Sequence, residues 1–242
     1  MNISTGLLPT IDCPNRLLRM LDEDAYRALM PAMSRRRLHV GDVVGPRGEA
    51  ASNVYFPCHG VLSVLTLMRD GTMVETGTIG NEGFAGIDVL LGCEYWTDTV
   101  FCQVEGDCLW MTAEAFHQAV AALPSLRRAT QRFVAAYLSL VAQSAACNRL
   151  HKVEERFARW MLMTGDRVGG DGFYLTHEFI SQMLGVHRAS VSTVASAFQQ
   201  AGLIRYTRGH VTLLDRPGLE RASCECYAVC ARQIEDLLRP GP

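Results

Sequence analysis

The feature that most constrains the fold is a change of sequence pattern near residue 123. Before Leu123, short runs rich in β-branched and aromatic residues alternate with Gly and Asp-Gly pairs. After Pro124, apolar residues recur at every third or fourth position instead. Because side chains repeat every two residues along a strand and every 3.6 along an α-helix, the chain is predicted to be α+β, with a β-rich region followed by a helical one.

The β-rich region is predicted to fold as a barrel or jelly roll, because many short strands recur at regular spacing. Arg69-Asp70-Gly71-Thr72 separates two of its runs and is typical of a tight β-hairpin turn. The predicted strands cover residues 53–56, 61–67, 73–79, 99–104 and 108–111.

A long helix is predicted from Ser125, a helix-capping residue, to about residue 150. Leu126, Phe133 and Leu140 fall near one of its faces, and another side is rich in Ala and Ser. Two interpretations are open: the helix is buried against its own barrel, or it packs on the same helix of a second copy. Its length and its small residues favour the dimer. A second helix over residues 152–164 and a Gly-rich linker over residues 165–172 are predicted to follow.

Residues 175–214 carry the pattern of a helix-turn-helix. Thr176 is a predicted N-cap for the first helix, and Gly185 is typical of the tight turn after it. In the second helix Val191, Val194, Ala195 and Phe198 are predicted to face inward, and Arg188, Ser192, Thr193 and Ser196 outward. Short outward side chains let such a helix lie deep in the major groove of DNA, where an arginine donates two hydrogen bonds to guanine.

Two alternating runs that flank Arg208-Gly209 predict a small β-hairpin, or wing, after the helix-turn-helix. Arg205, Arg208 and His210 would then lie within reach of DNA phosphates. A wing beside a helix-turn-helix favours sequence-specific DNA binding over an ordinary helical hairpin.

The distribution of charge agrees with this assignment. Lys and Arg total 23 and Asp and Glu total 25, so the net charge of −2 excludes a chain that holds nucleic acid or membrane by bulk positive charge. Residues 38–120 carry eleven acidic and two basic side chains, net −9, whereas residues 172–216 carry two acidic and four basic ones, net +2. The two regions are therefore expected to have different roles, and only the second needs to contact phosphate.

The order of barrel, long helix and winged helix-turn-helix resembles the Crp/Fnr superfamily of bacterial transcription regulators over nearly the whole chain. The residues that carry the resemblance are Gly41-Asp42, 60–64 (Gly-Val-Leu-Ser-Val), 79–84 (Ile-Gly-Asn-Glu-Gly-Phe) and 176–213. The resemblance implies a cyclic-nucleotide-binding-like sensor barrel (1–122), a dimerisation helix (123–150) and a DNA-binding domain with a C-terminal helix (151–242). It also implies a homodimer that reads a palindromic operator on double-stranded DNA and contacts RNA polymerase.

The resemblance also assigns roles within the helix-turn-helix. Arg188 corresponds to the base-reading arginine of the family, and the residues at or near backbone-contacting or capping positions are Thr176, Gln182, His187 and Ser190. The best-known members read Ser-Arg-Glu and then another Arg, whereas this chain reads His-Arg-Ala-Ser at 187–190 and has Thr193 at the place of the second Arg. Since no carboxylate is available to accept from cytosine, the operator is expected to differ from that of the cAMP receptor protein.

The sensor region departs from the cyclic-nucleotide-binding pattern. In family members that bind these ligands, an Arg-Ser pair holds the phosphate, but this chain has Tyr-Trp-Thr-Asp at residues 95–98 where that pair is expected. A cyclic phosphate would meet no guanidinium and would be repelled by Asp88, Glu94 and Asp98. We therefore expect that cAMP is not the ligand and that no cofactor is bound. The candidate effector-pocket residues are Glu82, Phe84, Trp96 and Thr97.

The nine cysteines are expected to be reduced thiols rather than a disulfide framework, because the first 14 residues lack a secretory signal pattern. Cys224, Cys226 and Cys230 fall in a predicted C-terminal helix and are interpreted as packed thiols in preference to a metal site. Whether any cysteine senses oxidant or metal stays open.

An enzyme is not expected, because His39, His59 and His117 are too scattered to form the metal site of a barrel enzyme, and phosphate-loop and nucleophile-elbow motifs are absent. The longest apolar run, residues 133–147, is too short to span a bilayer, so no membrane partner and a cytoplasmic location are expected. Two alternatives stay open: a regulator that responds to a cyclic nucleotide, and a barrel-type metal protein or enzyme.

Overall fold

The computed structural model describes residues 13–170 and 172–239. Its N-terminal half contains two antiparallel sheets, with strand orders β1-β7-β3 and β2-β6-β4-β5. The strands are β1 (Ser34–Leu38), β2 (Val43–Gly45), β3 (Asn53–Pro57), β4 (Val61–Leu67), β5 (Met73–Ile79), β6 (Thr99–Val104) and β7 (Gly106–Thr112). The described strands form a jelly-roll-like pair of sheets around one apolar core and do not close into a barrel.

The sequence predicted five of these seven strands, three of them with the observed ends. It missed β1 because this edge strand reads Ser-Arg-Arg-Arg-Leu and has four exposed residues, so no apolar alternation marks it. Two of its three arginines are held by acidic residues on or beside β7: Arg35 pairs with Asp107 at 2.9 Å and Arg37 with Glu105 at 3.0 Å. The strand can therefore be recognised only once its pairing with β7 is known.

The described part of the N-terminal half also contains three short α-helices: α1 (Glu23–Leu29), α2 (Ile87–Leu90) and α3 (Ala113–Ala122). Between the sheets and α3 lies a cluster of fully buried rings from Phe56, Phe84 and Phe116, with centroids 5.6–6.2 Å apart. Phe133 of the following helix joins it, 5.2 Å from Phe84. The long helix is thus anchored in the core of the sheets.

The long helix, α4, covers Pro124–Leu150. It begins one residue before the predicted cap, with Leu123 at the N-cap position and Pro124 in its first turn. One face is buried against the sheets through residues that include Leu126 and Phe133, while Leu138 on the opposite side is 63% exposed. No helix in the described ranges is both long and apolar enough to cross a membrane.

The C-terminal half follows as α5 (Val153–Val168), β8 (Gly172–Tyr174), α6 (His177–Leu184), α7 (Arg188–Gln200), β9 (Ile204–Thr207), β10 (His210–Leu213), α8 (Arg216–Ala222) and α9 (Cys226–Leu238). The predicted linker begins too early, because its first four residues continue α5 until Gly169 ends the helix in the left-handed conformation. The sequence also missed β8, which adds a third strand to the wing.

The prediction that all cysteines are free thiols is wrong for one pair, because Cys13 and Cys58 form a disulfide. The fold brings residue 13 beside the end of β3, where the Asn15 side chain also donates to the Pro57 carbonyl at 2.8 Å. The 45-residue separation gives no local sign of this pairing. The other seven cysteines are free thiols, six of them buried and Cys93 exposed.

Candidate nucleic-acid interface

The helix-turn-helix is fixed by a cap, a turn and an apolar core. The Thr176 hydroxyl accepts a hydrogen bond from the Phe179 N–H at 3.1 Å and so begins α6. Gly185, with φ of 61°, ends α6 in the left-handed region. The inward residues of α7 are buried as predicted: Val191, Val194, Ala195 and Phe198. Phe198 meets the ring of Phe157 on α5 edge-on at 5.4 Å, which sets the position of α7.

The outer face of α7 exposes Arg188, Thr193 and Ser196, as predicted. Ser192 is half-buried instead, and its hydroxyl lies 3.0 Å from Nδ1 of His177 and donates to the Arg188 carbonyl at 3.1 Å. Ser192 therefore lies at the edge of the outer face, partly covered by the first turn of α6, and its contact with DNA stays a prediction.

The four residues assigned by family resemblance differ in their exposure. His187 is exposed at the N-cap position of α7, whereas Ser190 and Gln182 are half-buried. The Thr176 hydroxyl is already engaged in capping α6. Their contacts with DNA stay predictions.

The wing turns at Arg208 and Gly209, which have φ values of 49° and 86°. Two successive positive φ angles are the geometry of a type I′ hairpin turn, whose twist matches that of the flanking strands. A Cβ at Gly209 would lie 2.5 Å from the Tyr174 ring, so this position requires glycine. The turn leaves the side chains of Arg208 and His210 exposed at the tip, with Arg205 exposed along β9.

His177 is a residue of this site whose role the sequence did not reveal. Its ring centroid lies 4.3 Å from that of Tyr206, whose hydroxyl donates to the Leu175 carbonyl at 2.6 Å. With its contact to Ser192, the imidazole joins α6, α7 and the wing. Burial, and then the charge of Arg188, lower the pKa of His177, which favours the neutral imidazole. The contacts span 15 and 29 positions, so no local pattern marks this residue.

The guanidinium groups of the site are available for an external anion. Among the described residues, Arg188, Arg205 and Arg208 have no carboxylate within ion-pair distance, whereas nearby Arg216 is held by Asp166 and by Glu220 at 3.3 Å. Exposed arginines without acidic partners suit bidentate binding of phosphate or guanine. The site can therefore bind a polyanion without first breaking internal ion pairs.

A cavity of about 320 Å³ lies between the second sheet and α4. Trp96 and Thr97, two of the candidate effector residues, line it, and the Thr97 hydroxyl donates to Asp88 at 2.7 Å. Asp88 and Asp98 are its charged residues, and no Lys, Arg or His of the described chain lines it. The lining of the cavity is therefore mostly apolar, and its charged groups are carboxylates.

The other two predicted effector residues lie outside this cavity. Glu82 forms a buried ion pair with Arg167 of α5, with 2.8 Å between Oε1 and Nε. Phe84 belongs to the aromatic core described above. Near the Glu82–Arg167 ion pair, Trp160 of α5 donates a hydrogen bond to Glu75 of β5 at 2.9 Å. Phe179 of α6 also packs on Phe101 of β6. Among the described residues, the C-terminal half thus contacts the sheets through the Glu82–Arg167 ion pair, the Trp160–Glu75 hydrogen bond and apolar side chains.

Thiols from distant parts of the sequence lie close together in the structure. Cys147 and His151 at the end of α4 meet Cys224 and Cys226 near the start of α9. The interpretation of the C-terminal cysteines as packed thiols considered only their own segment, and the expectation of no metal stays a prediction at this point.

Comparison with known proteins identifies one domain and one relative. Residues 155–222 match the model of the Crp-like helix-turn-helix domain. The transcriptional regulatory protein Btr of Bordetella pertussis is 26% identical over 169 residues, which cover 66% of this chain and 69% of that protein.

Solved structures share the fold at low identity. FixK2 from Bradyrhizobium japonicum has a TM-score of 0.67 at 16% identity, covering 79% of this chain and 98% of its own. A protein from Eubacterium rectale that is described as a Crp/Fnr-family regulator has a TM-score of 0.64 at 18% identity, covering 85% and 96%. The jelly-roll-like sheets, the long helix and the winged helix-turn-helix thus form a known arrangement.

Proposed function

We propose that this chain, a Crp/Fnr-type DNA-binding transcription regulator, reads its operator through the exposed N-terminal end of α7 and holds the DNA backbone with the wing. The observation that carries this proposal is the guanidinium of Arg188, which no described carboxylate pairs with, at the exposed start of α7. The exposed side chains that follow it, Ala189, Thr193, Ser196 and Ala197, are short. Arg188 contacts base edges, while Arg205, Arg208 and His210 contact phosphates.

The proposed active form is a homodimer paired along α4. Gln131, Ala135, Leu138, Ala142, Ala145 and Arg149 are exposed on one stripe of this helix. Their spacing alternates between four and three residues, which is the repeat of a two-helix seam. Alanines at the seam allow close approach, and the opposite face of α4 already packs on its own sheets. We therefore propose that one face of α4 packs against its own sheets and that the other packs on α4 of a second copy.

The proposed effector is a small apolar molecule, neutral or cationic, rather than cAMP. The cavity holds two carboxylates and no cationic side chain of the described residues, so a cyclic phosphate would be repelled. Tyr137, Leu138 and Val141 of α4 also line it, so a ligand there would touch the helix proposed to form the dimer. Binding would thereby bias the spacing of the two recognition helices.

The chain is proposed to regulate rather than catalyse, and to act in the cytoplasm, where its DNA partner lies. RNA polymerase stays a predicted partner. A regulator responding to a cyclic nucleotide is the second candidate; micromolar binding of cAMP in calorimetry would favour it.

Selection of genomic DNA fragments by the purified full chain tests the proposed function. We expect enrichment of a two-fold symmetric motif, and loss of that motif with Arg188→Ala. Arg232→Ala is the matched control, because Arg232 is exposed on α9 and makes its hydrogen bond within its own helix. Recovery of the same motif by both variants would disprove base reading by Arg188, and failure of the wild type to enrich any motif would disprove operator binding.

A further inference from the structure

Four metal-ligating side chains from distant parts of the chain converge at the C-terminal end of α4. Cys147 lies in the last turn of α4 and His151 directly after it, while Cys224 lies in the connection from α8 to α9 and Cys226 begins α9. One ligand atom from each lies within 4.8 Å of all the others. The three cysteines are buried and His151 is half-buried, so the group is enclosed by protein.

The distances within this group suit a tetrahedral metal. The Sγ atoms of Cys147 and Cys224 are 3.5 Å apart, and Sγ of Cys226 is 3.5 Å from Nδ1 of His151. Zinc binds thiolate at about 2.3 Å and imidazole at about 2.0–2.1 Å, which places neighbouring ligands of a tetrahedral site roughly 3.5–3.8 Å apart. Two of the ligand pairs already have this spacing, and every other pair of ligand atoms in the group lies within 4.8 Å.

The neighbours of the group orient it as ligands. Nε2 of His151 lies 3.1 Å from a carboxylate oxygen of Glu225, so that nitrogen carries the proton and Nδ1 is free to face the sulfurs. A ligating histidine commonly donates its other N–H to a carboxylate in this way. The side-chain amide of Gln143 donates to Sγ of Cys226 at 3.0 Å, which stabilises a thiolate there.

The surrounding charge also favours an anionic centre. Arg156 and Arg159 are buried, with 8% and 7% exposure, and neither has an ion pair with a described carboxylate. Arg156 instead donates to Asn148 and to the Leu184 carbonyl, and Arg159 to Ser144. Zinc with three thiolates and a neutral imidazole carries one net negative charge. That charge would offset the cost of burying these guanidinium groups.

We propose that Cys147, His151, Cys224 and Cys226 form a structural zinc site. Four protein ligands leave no open coordination position, so the site would be structural rather than catalytic. Binding would release the three thiol protons to solvent. This proposal replaces the expectation of no metal: the C-terminal segment supplies only two ligands, and Cys230, the third member of its motif, is not one of them.

The site would fasten the start of α9 to the junction between α4 and α5. That junction connects the proposed dimer helix to the helix-turn-helix, so bound zinc would limit their relative motion. This consequence rests on the proposed function, whereas the presence of the metal does not.

Elemental analysis of the full chain, purified under reducing conditions and incubated with zinc, tests the site directly. We expect about one zinc ion per chain, and its loss in Cys147→Ser and Cys224→Ser. Cys230→Ser is the matched control, since it removes a buried thiol from α9, the helix that begins with the ligand Cys226, without removing a ligand, and it should retain zinc. His151→Ala should weaken binding and His151→Cys should restore it.

Measurements on the wild type keep the test independent of variant folding. Cobalt exchanged into the site should give the intense visible bands of tetrahedral coordination with sulfur-to-metal charge transfer. The proposal would be overturned if the wild type held no zinc and gave no such bands, or if Cys224→Ser retained zinc. A disulfide between Cys147 and Cys224 in protein purified under reducing conditions would also overturn it. DNA selection is scored separately, so a zinc-loaded chain that binds no operator would disprove the proposed function and leave the metal site standing.

Discussion

The two halves of the chain differ in whether their arginines form ion pairs with carboxylates. The sheet region pairs Arg35 with Asp107 and Arg37 with Glu105, and its cavity is lined by two carboxylates. The winged helix-turn-helix leaves Arg188, Arg205 and Arg208 unpaired among the described residues. A chain with a net charge of −2 can therefore still present a surface for DNA, because these three exposed arginines of the winged helix-turn-helix are not neutralised by described carboxylates.

The two halves meet at a buried ion pair, and breaking it is expected to give the largest effect. In Glu82→Ala, Arg167 would keep its charge without a partner at a site where the two side chains are 3% and 4% exposed. We expect a loss of about 3–5 kcal/mol in the free energy of unfolding, measured by urea denaturation. Glu220→Ala, which removes an exposed partner of Arg216, should cost less than about 1 kcal/mol.

Replacing both members of the buried pair sharpens this result. Glu82→Leu together with Arg167→Met should be less destabilised than Glu82→Ala, because no charge is left uncompensated. Equal losses for Glu82→Ala and Glu220→Ala would mean that the ion pair between the halves contributes little to stability.

Arg188→Ala addresses the difference between free and paired arginines. The variant should lose about 1–3 kcal/mol of discrimination between operator and unrelated DNA, or roughly 5- to 150-fold. Competition binding at fixed salt measures this ratio, with Arg232→Ala as the control. An unchanged ratio for Arg188→Ala would contradict the proposed placement of α7 in the major groove.

The parts that the sequence predicted are those determined by neighbouring residues. Thr176, Gly185 and the apolar spacing of α7 define the helix-turn-helix locally, and β-branched runs define β4, β5 and β6. The sequence failed where a distant partner decides the structure. The Cys13–Cys58 disulfide, the contact between Ser192 and His177 and the group that joins Cys147 to Cys224 all require the folded chain. Periodicity carries no information about such long-range pairs.

A buried carboxyl group gives the interface between the halves a pH dependence. Burial raises the pKa of Glu75 to about 7, although hydrogen bonds from Ser63 and Trp160 lower it. Because the folded pKa lies above the unfolded one, this residue stabilises the fold most below about pH 4.5, and the contribution is lost as the pH rises through 7. Glu75→Gln, which cannot ionise, should therefore flatten the stability profile between these values.

Denaturation at a series of pH values measures this effect, which is expected to be on the order of 1–2 kcal/mol in favour of Glu75→Gln at pH 8. Thr76→Ser, at the next position on the same strand, keeps the carboxyl group and should leave the profile unchanged. A Glu75→Gln profile that parallels the wild type would mean that the carboxyl group is not buried between the halves in solution.

The smallest effect is expected at the wing, where an arginine contacts phosphate without reading sequence. Arg208→Ala should weaken binding to operator and to unrelated DNA alike, so the ratio that Arg188→Ala reduces would stay constant. The dependence of binding on salt should become shallower, by about one unit in the slope of log K against log salt for each phosphate that the variant no longer neutralises. Titrations at several salt concentrations separate the two arginines: a change in the ratio without a change in slope would place Arg208 on the bases instead.

Because Arg208 adopts a φ of 49° in the turn, Arg208→Asn is the variant that removes the charge while best tolerating this backbone, and it should match Arg208→Ala in slope.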